Sequence, residues 1–486
     1  MRLSDLLAPL AIDPALGALD VAGLSADSRT IGAGFVFFAV PGHAGDGLDY
    51  LADARTRGAR VVVAARIPEN CDLPFVVVDD VRAALACAAA RFHPRQPETI
   101  CAVTGTSGKT SVVAFLRQIW RACGRAAASL GTVGVVDPSG AHYGALTTPG
   151  PVDLHRTLDE LAGRGVTHLA MEASSIGIEQ RRLDGVWLAA AGLTNFSRDH
   201  LDYHPTMEAY FAAKMRLFDT LLAPGATAVI DADGETAEKV AAICAVAGRK
   251  VFDVGAKGSG IALRAVEPGP DATVMTLRCV GTDYRVRLPL AGAFQVSNAL
   301  VAAGLAIVCG EEPAQVFAAL EGLEGAPGRL ERIGARAGAP AFVDYAHKPD
   351  ALEKVLATLR PLTKGRLIVV FGCGGDRDRG KRPLMGAIAA RGADVVIVTD
   401  DNPRSEDPAA IRTAILEGAR GAGGGAEIVE IADRQAAIDH AVAMLAAGDA
   451  LVVAGKGHET GQIIGDRVLP FSDHAAIAQA LGEIRS

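Results

Sequence analysis

The run Thr104-Gly105-Thr106-Ser107-Gly108-Lys109-Thr110 places two glycines, a lysine and a hydroxyl between an apolar stretch and an amphipathic helical pattern. Glycines let backbone N–H groups curl around an anion, and a helix N-terminus adds a favourable dipole. A lysine at 109 can meet outer phosphates, and a hydroxyl at 110 can ligate Mg²⁺. Gly105, Thr106, Ser107, Gly108, Lys109, Thr110 and Ser111 are therefore the expected nucleotide cradle. A strict phosphate loop would carry glycine at 103, where this chain has Val103; the shortened form still keeps the turn and the helix start. A glycine turn ahead of an ordinary helix is the competing reading.

Other residues are chemically ambiguous when taken singly. Glu172 ends the apolar run from Val166 to Met171, and a carboxylate at a strand tip can hold Mg²⁺ near a phosphate loop. It could equally cap a helix or pair with a surface cation. His200 and Lys214 taken alone are a surface histidine and a solvated lysine. Asp400-Asp401-Asn402-Pro403-Arg404 alone is a turn with an arginine on it. The eight cysteines are scattered singly, with no C-x-x-C pair and no Cys/His cluster, so neither a disulfide framework nor a zinc site is expected, and a reducing compartment is. A formal charge of −8 argues against a dedicated nucleic-acid binder, which would show a basic face.

The elements that position these residues follow from periodicity. At 486 residues the chain is too long for one core, and three domains are expected: 1–97, 98–328 and 329–486. Half the residues are apolar but only 5% are aromatic, so Ala, Val and Leu must build the core, as in doubly wound α/β proteins. Short β-like runs at Phe35 to Val40, Arg60 to Ala64 and Phe75 to Val78 precede a linker, Phe92 to Pro97. Strand Ile100 to Thr104 then feeds a helix whose Val112, Phe115, Leu116, Ile119, Trp120 and Cys123 share one face. Further runs at Phe342 to Tyr345, Leu367 to Phe371, Asp394 to Thr399 and Ala450 to Ala454 each lead straight into a polar or Gly-rich loop. Ligands in open parallel sheets bind outside such strand ends. Gly421 to Gly425 reads as an exposed turn. Apolar stretches such as Ala299 to Cys309 fall short of the ~20 residues that span a bilayer. No cationic segment precedes an apolar block at the amino end, and a soluble cytoplasmic monomer is expected.

The shortened loop resembles that of the Mur ligase and folylpolyglutamate synthetase superfamily, whose members phosphorylate a carboxylate with ATP and let an amine attack it. Thr194-Asn195-Phe196-Ser197-Arg198-Asp199-His200 through His204, with Met207 to Lys214, resembles the central signature of the muramyl tripeptide synthetases. Met171-Glu172-Ala173-Ser174-Ser175, Asp344 to Asp350 and Phe371 to Met385 do so too, so the likeness spans nearly the whole chain. It implies an α/β protein of three-domain Mur ligase architecture: a central P-loop sheet, parallel or mixed, and a Rossmann-like C-terminal domain. It also implies ATP as substrate, Mg²⁺ at Thr110, Glu172 and His200, and a carbamate on Lys214 that turns an amine into a second hard-oxygen ligand. Lys109, Lys214, His200 and Glu172 become the catalytic set.

By the same resemblance Asn298, Arg329, Asp344 and His347 belong to the ATP site; Gln295 replaces the usual companion of Asn298. Ser28, His43, Thr147, Thr148, Ser174, Gln180 and Arg182 match positions that hold a UDP-muramyl peptide, and Ile176 stands where relatives commonly have histidine. Asp401, Asn402 and Arg404 match the D-N-P-R element of diaminopimelate-adding members; Arg377, Gly455 and Glu459 match the remaining contacts. The guanidinium would take the distal carboxylate by paired hydrogen bonds and Glu459 the ammonium. Lysine lacks that carboxylate, and a site built to bond a polar group rejects analogues without it by roughly 10⁴-fold. A lysine-adding or D-Ala-D-Ala-adding sister, a folylpolyglutamate synthetase and a non-catalytic nucleotide-binding regulator are the alternatives.

Overall fold

The computed structural model describes residues 1–42, 45–68, 72–142, 144, 146–201, 203–269, 272–290 and 292–482. The chain divides into two compact units: Met1–Leu263 with Arg278–Thr282 and Leu300–Ala319, and Arg264–Leu277 with Asp283–Ala299 and Leu320–Ser486.

The first unit opens with a parallel sheet in chain order, β1 (Gly23–Ser25), β2 (Phe35–Phe38), β3 (Ala59–Ala64) and β4 (Phe75–Val77). Strand alternation splits its side chains. Val36, Phe38, Val61 and Val63 enter one apolar cluster, while Phe37, Val62 and Ala64 enter another. The helix Val81–Phe92 ends where the linker is expected.

Its larger sheet contains β5 (Thr99–Thr104), β6 (Ala127–Gly131), β7 (Gly134–Asp137), β8 (Gly140–His142), β9 (His168–Glu172), β10 (Leu188–Leu193), β11 (Thr227–Asp231) and β12 (Lys250–Gly255). Across the sheet the order is β12-β11-β10-β5-β9-β6-β7-β8, parallel from β12 to β6 and antiparallel for β7 and β8. After β5 the chain moves to one side of the sheet, and after β10 to the other. The switch point therefore falls between the carboxyl ends of β5 and β10, where a ligand crevice is expected. The helix Lys109–Ala122 leaves β5 there and buries Val112, Phe115, Leu116, Ile119 and Trp120. Cys123 lies one residue beyond that helix and is only half-buried, so the expected apolar face ends at Trp120.

β13 (Ile261–Pro268) pairs parallel with β12 through Ile261 and Ala262. β14 (Thr273–Cys279) and β15 (Thr282–Leu288) follow it in the chain.

The second unit carries β16 (Glu331–Arg336), β17 (Ala339–Asp344), β18 (Leu367–Phe371), β19 (Val395–Val398), β20 (Glu427–Glu430) and β21 (Ala450–Ala454), in the order β16-β17-β21-β18-β19-β20. Only β16 is antiparallel to its neighbour among the register pairs. Both faces of the sheet are covered by apolar clusters, which is why its strands read as continuous Val, Ile and Leu runs. Gly421 to Gly425 forms the exposed connection between the helix Pro408–Gly421 and β20. The α/β class read from the sequence is the fold observed. Among the described residues no helix is long and apolar enough to cross a membrane.

Candidate active site

The phosphate loop is shaped by what surrounds it. Gly105 has φ +149°, and a Cβ there would fall 1.9 Å from Thr194 Oγ1, so no side chain fits. Gly108 has φ +85° and turns the backbone into the helix that starts at Lys109. The segment after β10 laces the loop down. Thr106 N–H donates to Asn195 O at 2.9 Å and Ser107 N–H to Asn195 Oδ1 at 3.0 Å. Thr194 Oγ1 donates to Ser107 O at 2.6 Å, and Ser197 N–H donates to Thr106 Oγ1 at 2.9 Å. Thr110 and Ser111 are buried in the first helical turn.

Two lysines converge on one carbonyl. Lys109 Nζ donates to Gly105 O at 2.8 Å and Thr106 O at 3.1 Å; Lys214 Nζ donates to the same Gly105 O at 2.8 Å. Lys214 is 1% exposed, inside the helix Met207–Arg216, with Nζ 4.5 Å from the centre of the Tyr210 ring. Burial, and then the charge on Lys109, lower its pKa well below the ordinary lysine value, with Asp199 opposing. An amine placed this way is held towards its neutral, nucleophilic form. Tyr210 OH lies 3.3 Å from Thr106 Oγ1, and burial pushes that phenol up to about 12.

His200 has φ +52°, and its Nε2 is 3.6 Å from Asp199 Oδ2.

Glu172 is 1% exposed at the tip of β9. Its Oε1 accepts from Thr132 N–H at 2.8 Å and its Oε2 from Thr132 Oγ1 at 3.2 Å. A side chain at Gly131 would push Glu172 aside, since a Cβ there would stand 2.2 Å from Glu172 Oε1. Among the described residues no three His, Cys, Asp or Glu side chains gather as a metal cage. Mg²⁺ needs none when substrate phosphates supply ligands, and the hard oxygens of Glu172 and Thr110 at this end of the sheet fit that donor chemistry.

A second network extends from Glu172. Thr147 Oγ1 is 3.0 Å from Thr132 Oγ1, and Thr148 Oγ1 donates to Glu172 O at 3.0 Å while accepting from Ser174 N–H at 3.1 Å. Arg182 Nη1 donates to Thr148 O at 2.7 Å and its Nη2 to Gln180 Oε1 at 2.7 Å; Gln180 Nε2 donates to Tyr203 OH at 3.0 Å. Burial lowers the Arg182 pKa. Thr147, Thr148, Ser174, Gln180 and Arg182, spread over 36 positions of sequence, are thus one hydrogen-bonded patch beside the phosphate loop's sheet end. Ile176 lies in the short helix Ser175–Glu179 behind Ser174. Ser28 is buried at the start of a short 3₁₀ turn after β1; its side chain bonds Asp53 and lowers that carboxyl's pKa. His43 lies outside the described residues.

In the second unit the loops after β18, β19 and β21 meet. Asn402 Nδ2 donates to Glu459 Oε2 at 2.9 Å. Asn402 Oδ1 accepts from Lys456 Nζ at 2.8 Å and Ile463 N–H at 2.9 Å. Lys456, 0% exposed, also donates to Gly461 O at 2.8 Å and lies 3.4 Å from Glu459 Oε2. Arg404 has φ +51°, and its Nη1 donates to Gly375 O at 2.8 Å. Arg377 Nη1 bonds Asp376 O at 3.1 Å in the same loop. Gly455 has φ +117°, and a Cβ there would stand 2.6 Å from Asp401 Oδ2. Under these loops Arg434 pairs with Asp473 at 2.7 and 2.8 Å, both side chains fully buried. It also donates to Ala454 O at 3.0 Å and Asp400 O at 3.4 Å.

Asn298 sits inside the helix Ala293–Val308 rather than at its cap, and its Nδ2 donates to Gln295 Oε1 at 3.3 Å. Gln295 Nε2 in turn donates to Arg329 O at 3.2 Å, so the unusual companion residue links the two. The Arg329 guanidinium stands 5.0 Å from the centre of the Tyr345 ring. Asp344 ends β17; its oxygens accept from Leu330 N–H at 2.7 Å and Ala346 N–H at 2.8 Å, and burial raises its carboxyl to about 6. Burial lowers His347 to about 4.

Asn195, Thr132, Tyr210, Lys456, Arg434 and Asp473 were not singled out by sequence reasoning. A lysine on the apolar face of a helix, Tyr210-Phe211-x-Ala213-Lys214-Met215, was the available signal for the Tyr210 contact. Arg434 and Asp473 are 39 positions apart and give none.

Family models match three stretches of the chain: a Mur ligase family catalytic domain at 20–93, a Mur ligase middle domain at 103–306 and a Mur ligase glutamate ligase domain at 328–457. The chain is 57% identical over 486 residues to the UDP-N-acetylmuramoyl-L-alanyl-D-glutamate--2,6-diaminopimelate ligase of Bradyrhizobium diazoefficiens, covering 99% of both chains. It is 53% identical to the ligase of the same name from Caulobacter vibrioides, covering 99% and 98%. A solved structure of a ligase with that name matches with TM-score 0.73, 33% identity and 99% coverage of both chains. A MurF ligase from Thermotoga maritima in complex with ADP matches with TM-score 0.59 at 18% identity over 95% of this chain and 96% of that one, a likeness of fold.

Proposed function

The chain belongs to the Mur ligase family, and from that premise we infer that it is the ATP-dependent ligase that joins meso-2,6-diaminopimelate to the D-glutamate γ-carboxylate of UDP-N-acetylmuramoyl-L-alanyl-D-glutamate. The product is a peptidoglycan precursor, which ties the enzyme to cell-wall biogenesis, cell shape and division. The observation that carries the amino-acid choice is the meeting of Asn402, Arg404, Glu459 and Gly455 at the strand ends of the second unit. A planar guanidinium and a carboxylate set there suit a substrate that is both doubly acidic and an amine.

In this reading the phosphate loop cradles ATP, with Lys109 leaving the Gly105 and Thr106 carbonyls to meet the outer phosphates. Mg²⁺, held by Thr110 and Glu172, would neutralise charge on the phosphates during transfer. Lys214, buried and with its pKa lowered, would take up carbon dioxide as a carbamate, and that carbamate and His200 would be a further hard-oxygen and imidazole ligand pair for Mg²⁺. The loop N–H groups and Lys109 position the γ-phosphate for attack by the substrate carboxylate, giving an acyl phosphate. Arg182 holds an anionic part of the UDP-muramyl peptide with Thr147, Thr148, Ser174 and Gln180, and Ser28 and His43 serve its uridine end. By the family resemblance Asn298, Arg329, Asp344 and His347 are assigned to ATP binding. Glu459 orients the incoming ammonium group, Arg404 and Arg377 its distal carboxylate, and Asp401 and Asn402 hold the loop. Amine attack then yields amide and phosphate. The acyl transfer itself needs no nucleophile from the protein.

We keep the division 1–97, 98–328 and 329–486, supported by the three matched family ranges, and place the enzyme in the cytoplasm as a monomer. The test is mass spectrometry of the product formed from ATP, UDP-muramyl dipeptide and meso-diaminopimelate, with phosphate release measured in parallel. Formation of the tripeptide product with stoichiometric ADP is the expected result. A folded enzyme that releases no phosphate with all three present, or that prefers lysine, overturns it.

A further inference from the structure

Two periodicities bring together a pair of thiols that have no role above. Along β5, Cys101 and Val103 point to the same face. Along the helix Ala293–Val308, Val301 and Leu305 are one row, and Cys309 continues it four residues on. That row lies over β5 and β10: a Cβ added at Gly192 would stand 3.1 Å from Leu305 Cδ1, 3.4 Å from Val301 Cγ1 and 3.6 Å from Val103 Cγ2. One step further along both elements, Cys101 Sγ and Cys309 Sγ are 3.4 Å apart.

We propose that Cys101 and Cys309 are an oxidisable dithiol, in which hydrogen peroxide oxidises Cys309 and Cys101 then closes a reversible disulfide. Cys309 is half-buried and Cys101 fully buried, so only Cys309 is open to a small oxidant. Burial, together with the Cys309 thiol, raises the Cys101 pKa well above the usual cysteine value, which keeps Cys101 protonated and unreactive towards peroxide itself. Cys309 lies one residue past the helix end, beside Gly310 at φ +103°. The closure to a bond of about 2 Å is therefore a shortening of roughly 1.4 Å, within reach of side-chain torsion and the last helical turn.

The steps balance. The Cys309 sulfur attacks a peroxide oxygen, the O–O bond breaks, and one water leaves with Cys309 as sulfenic acid. The Cys101 sulfur attacks the Cys309 sulfur; the S–S bond forms, the S–O bond breaks, and the departing hydroxide takes the Cys101 proton as a second water. Two thiols are oxidised by two electrons and the peroxide is reduced. A dithiol reverses the bond by exchange. Because β5 runs from Cys101 to Thr104 and into the phosphate loop, the cross-link fastens the base of that strand to the helix.

The test uses the full chain carrying Cys87→Ser, which removes an exposed thiol. After hydrogen peroxide and alkylation, an unreduced peptide map should show a Cys101–Cys309 linked peptide that disappears with dithiothreitol. Adding Cys101→Ala should leave Cys309 as a sulfenic acid that a 1,3-dione labels; adding Cys309→Ser should leave Cys101 unlabelled. Cys101 and Cys309 both recovered as alkylated thiols while Cys123 is oxidised, or no label at Cys309 in the Cys101→Ala chain, overturns the proposal. Should Cys101→Ala fail to fold, the linked peptide in the Cys87→Ser chain decides alone.

Discussion

Arg404 is where the choice of amino acid can be weighed. Its backbone is pinned: its N–H donates to Ile463 O at 3.1 Å and its carbonyl accepts from Gly465 N–H at 2.7 Å, holding φ at +51°. Nη1 is committed to Gly375 O at 2.8 Å, so Nε and Nη2 are the edge that would meet a distal carboxylate. Each hydrogen bond to a charged group contributes about 1.5–3 kcal/mol. Arg404→Lys keeps the charge and loses one of the pair, which predicts a fall in kcat/KM for meso-diaminopimelate of roughly 10- to 150-fold. Arg404→Ala loses both, roughly 3–6 kcal/mol or about 10²- to 10⁴-fold, and should abolish the preference over lysine. Left-handed strain does not confuse the comparison, because arginine, lysine and alanine all carry a Cβ and the same penalty. Phosphate release at saturating UDP substrate gives KM for diaminopimelate, lysine and ATP in turn, with a thermal melt to show that each variant folds. An Arg404→Ala enzyme whose KM for diaminopimelate is unchanged, or whose KM for ATP rises equally, refutes the assignment.

Three other outcomes are expected. Lys214→Ala should lose activity and regain part of it with an added short-chain carboxylic acid, since the loop keeps its bonds to Thr194, Asn195 and Ser197 and so its shape; full activity without rescue removes Lys214 from the reaction. Arg434→Lys should raise KM for the amino acid about tenfold while leaving KM for ATP within about twofold, because the carbonyls of Asp400 and Ala454 lose the fork that sets two binding loops; equal rises in both constants would show a merely structural residue. Asp344, raised to about 6 by burial, holds its proton in the folded state where the unfolded chain has released it. Its contribution to stability is therefore greatest below the unfolded value of 3.8 and declines as pH rises to about 6, by up to roughly 3 kcal/mol. Melts of wild type and Asp344→Asn across that window should diverge, with wild type losing stability relative to the variant as pH rises; parallel curves disprove the shift.

The strand-end loops were legible because each apolar run breaks abruptly into polar residues, and β18 and β21 match the expected Leu367 to Phe371 and Ala450 to Ala454 to the residue. β17 starts earlier than the run Phe342 to Tyr345, at Ala339, since small residues give a weak strand signal. Tyr345 leaves the strand because its N–H bonds Gly328 O. What sequence could not give is partnership at long range. Gln295 looked like a departure, yet it accepts from Asn298 and donates to the Arg329 carbonyl 34 positions away, so the substitution keeps a polar link.

The same limit explains the two buried lysines. Lys214 taken alone reads as a solvated charge in sequence and Lys456 was not singled out, because burying an ammonium costs several kcal/mol unless partners are supplied. The partners differ, and so does the consequence. Lys456 has Asn402 Oδ1, Gly461 O and Glu459 nearby: full satisfaction with a counter-charge, which fits a fixed structural cation under the amino-acid loops. Among the described residues Lys214 has one carbonyl, shared with Lys109, an aromatic face and the opposing charge of Asp199. A buried amine with a cationic neighbour and so few acceptors is destabilised as an ammonium. Conversion to a carbamate relieves that cost by replacing a poorly held positive charge with a negative one beside Lys109. The small number of acceptors around Lys214 among the described residues is thus the physical reason for expecting modification at this lysine and not at the other.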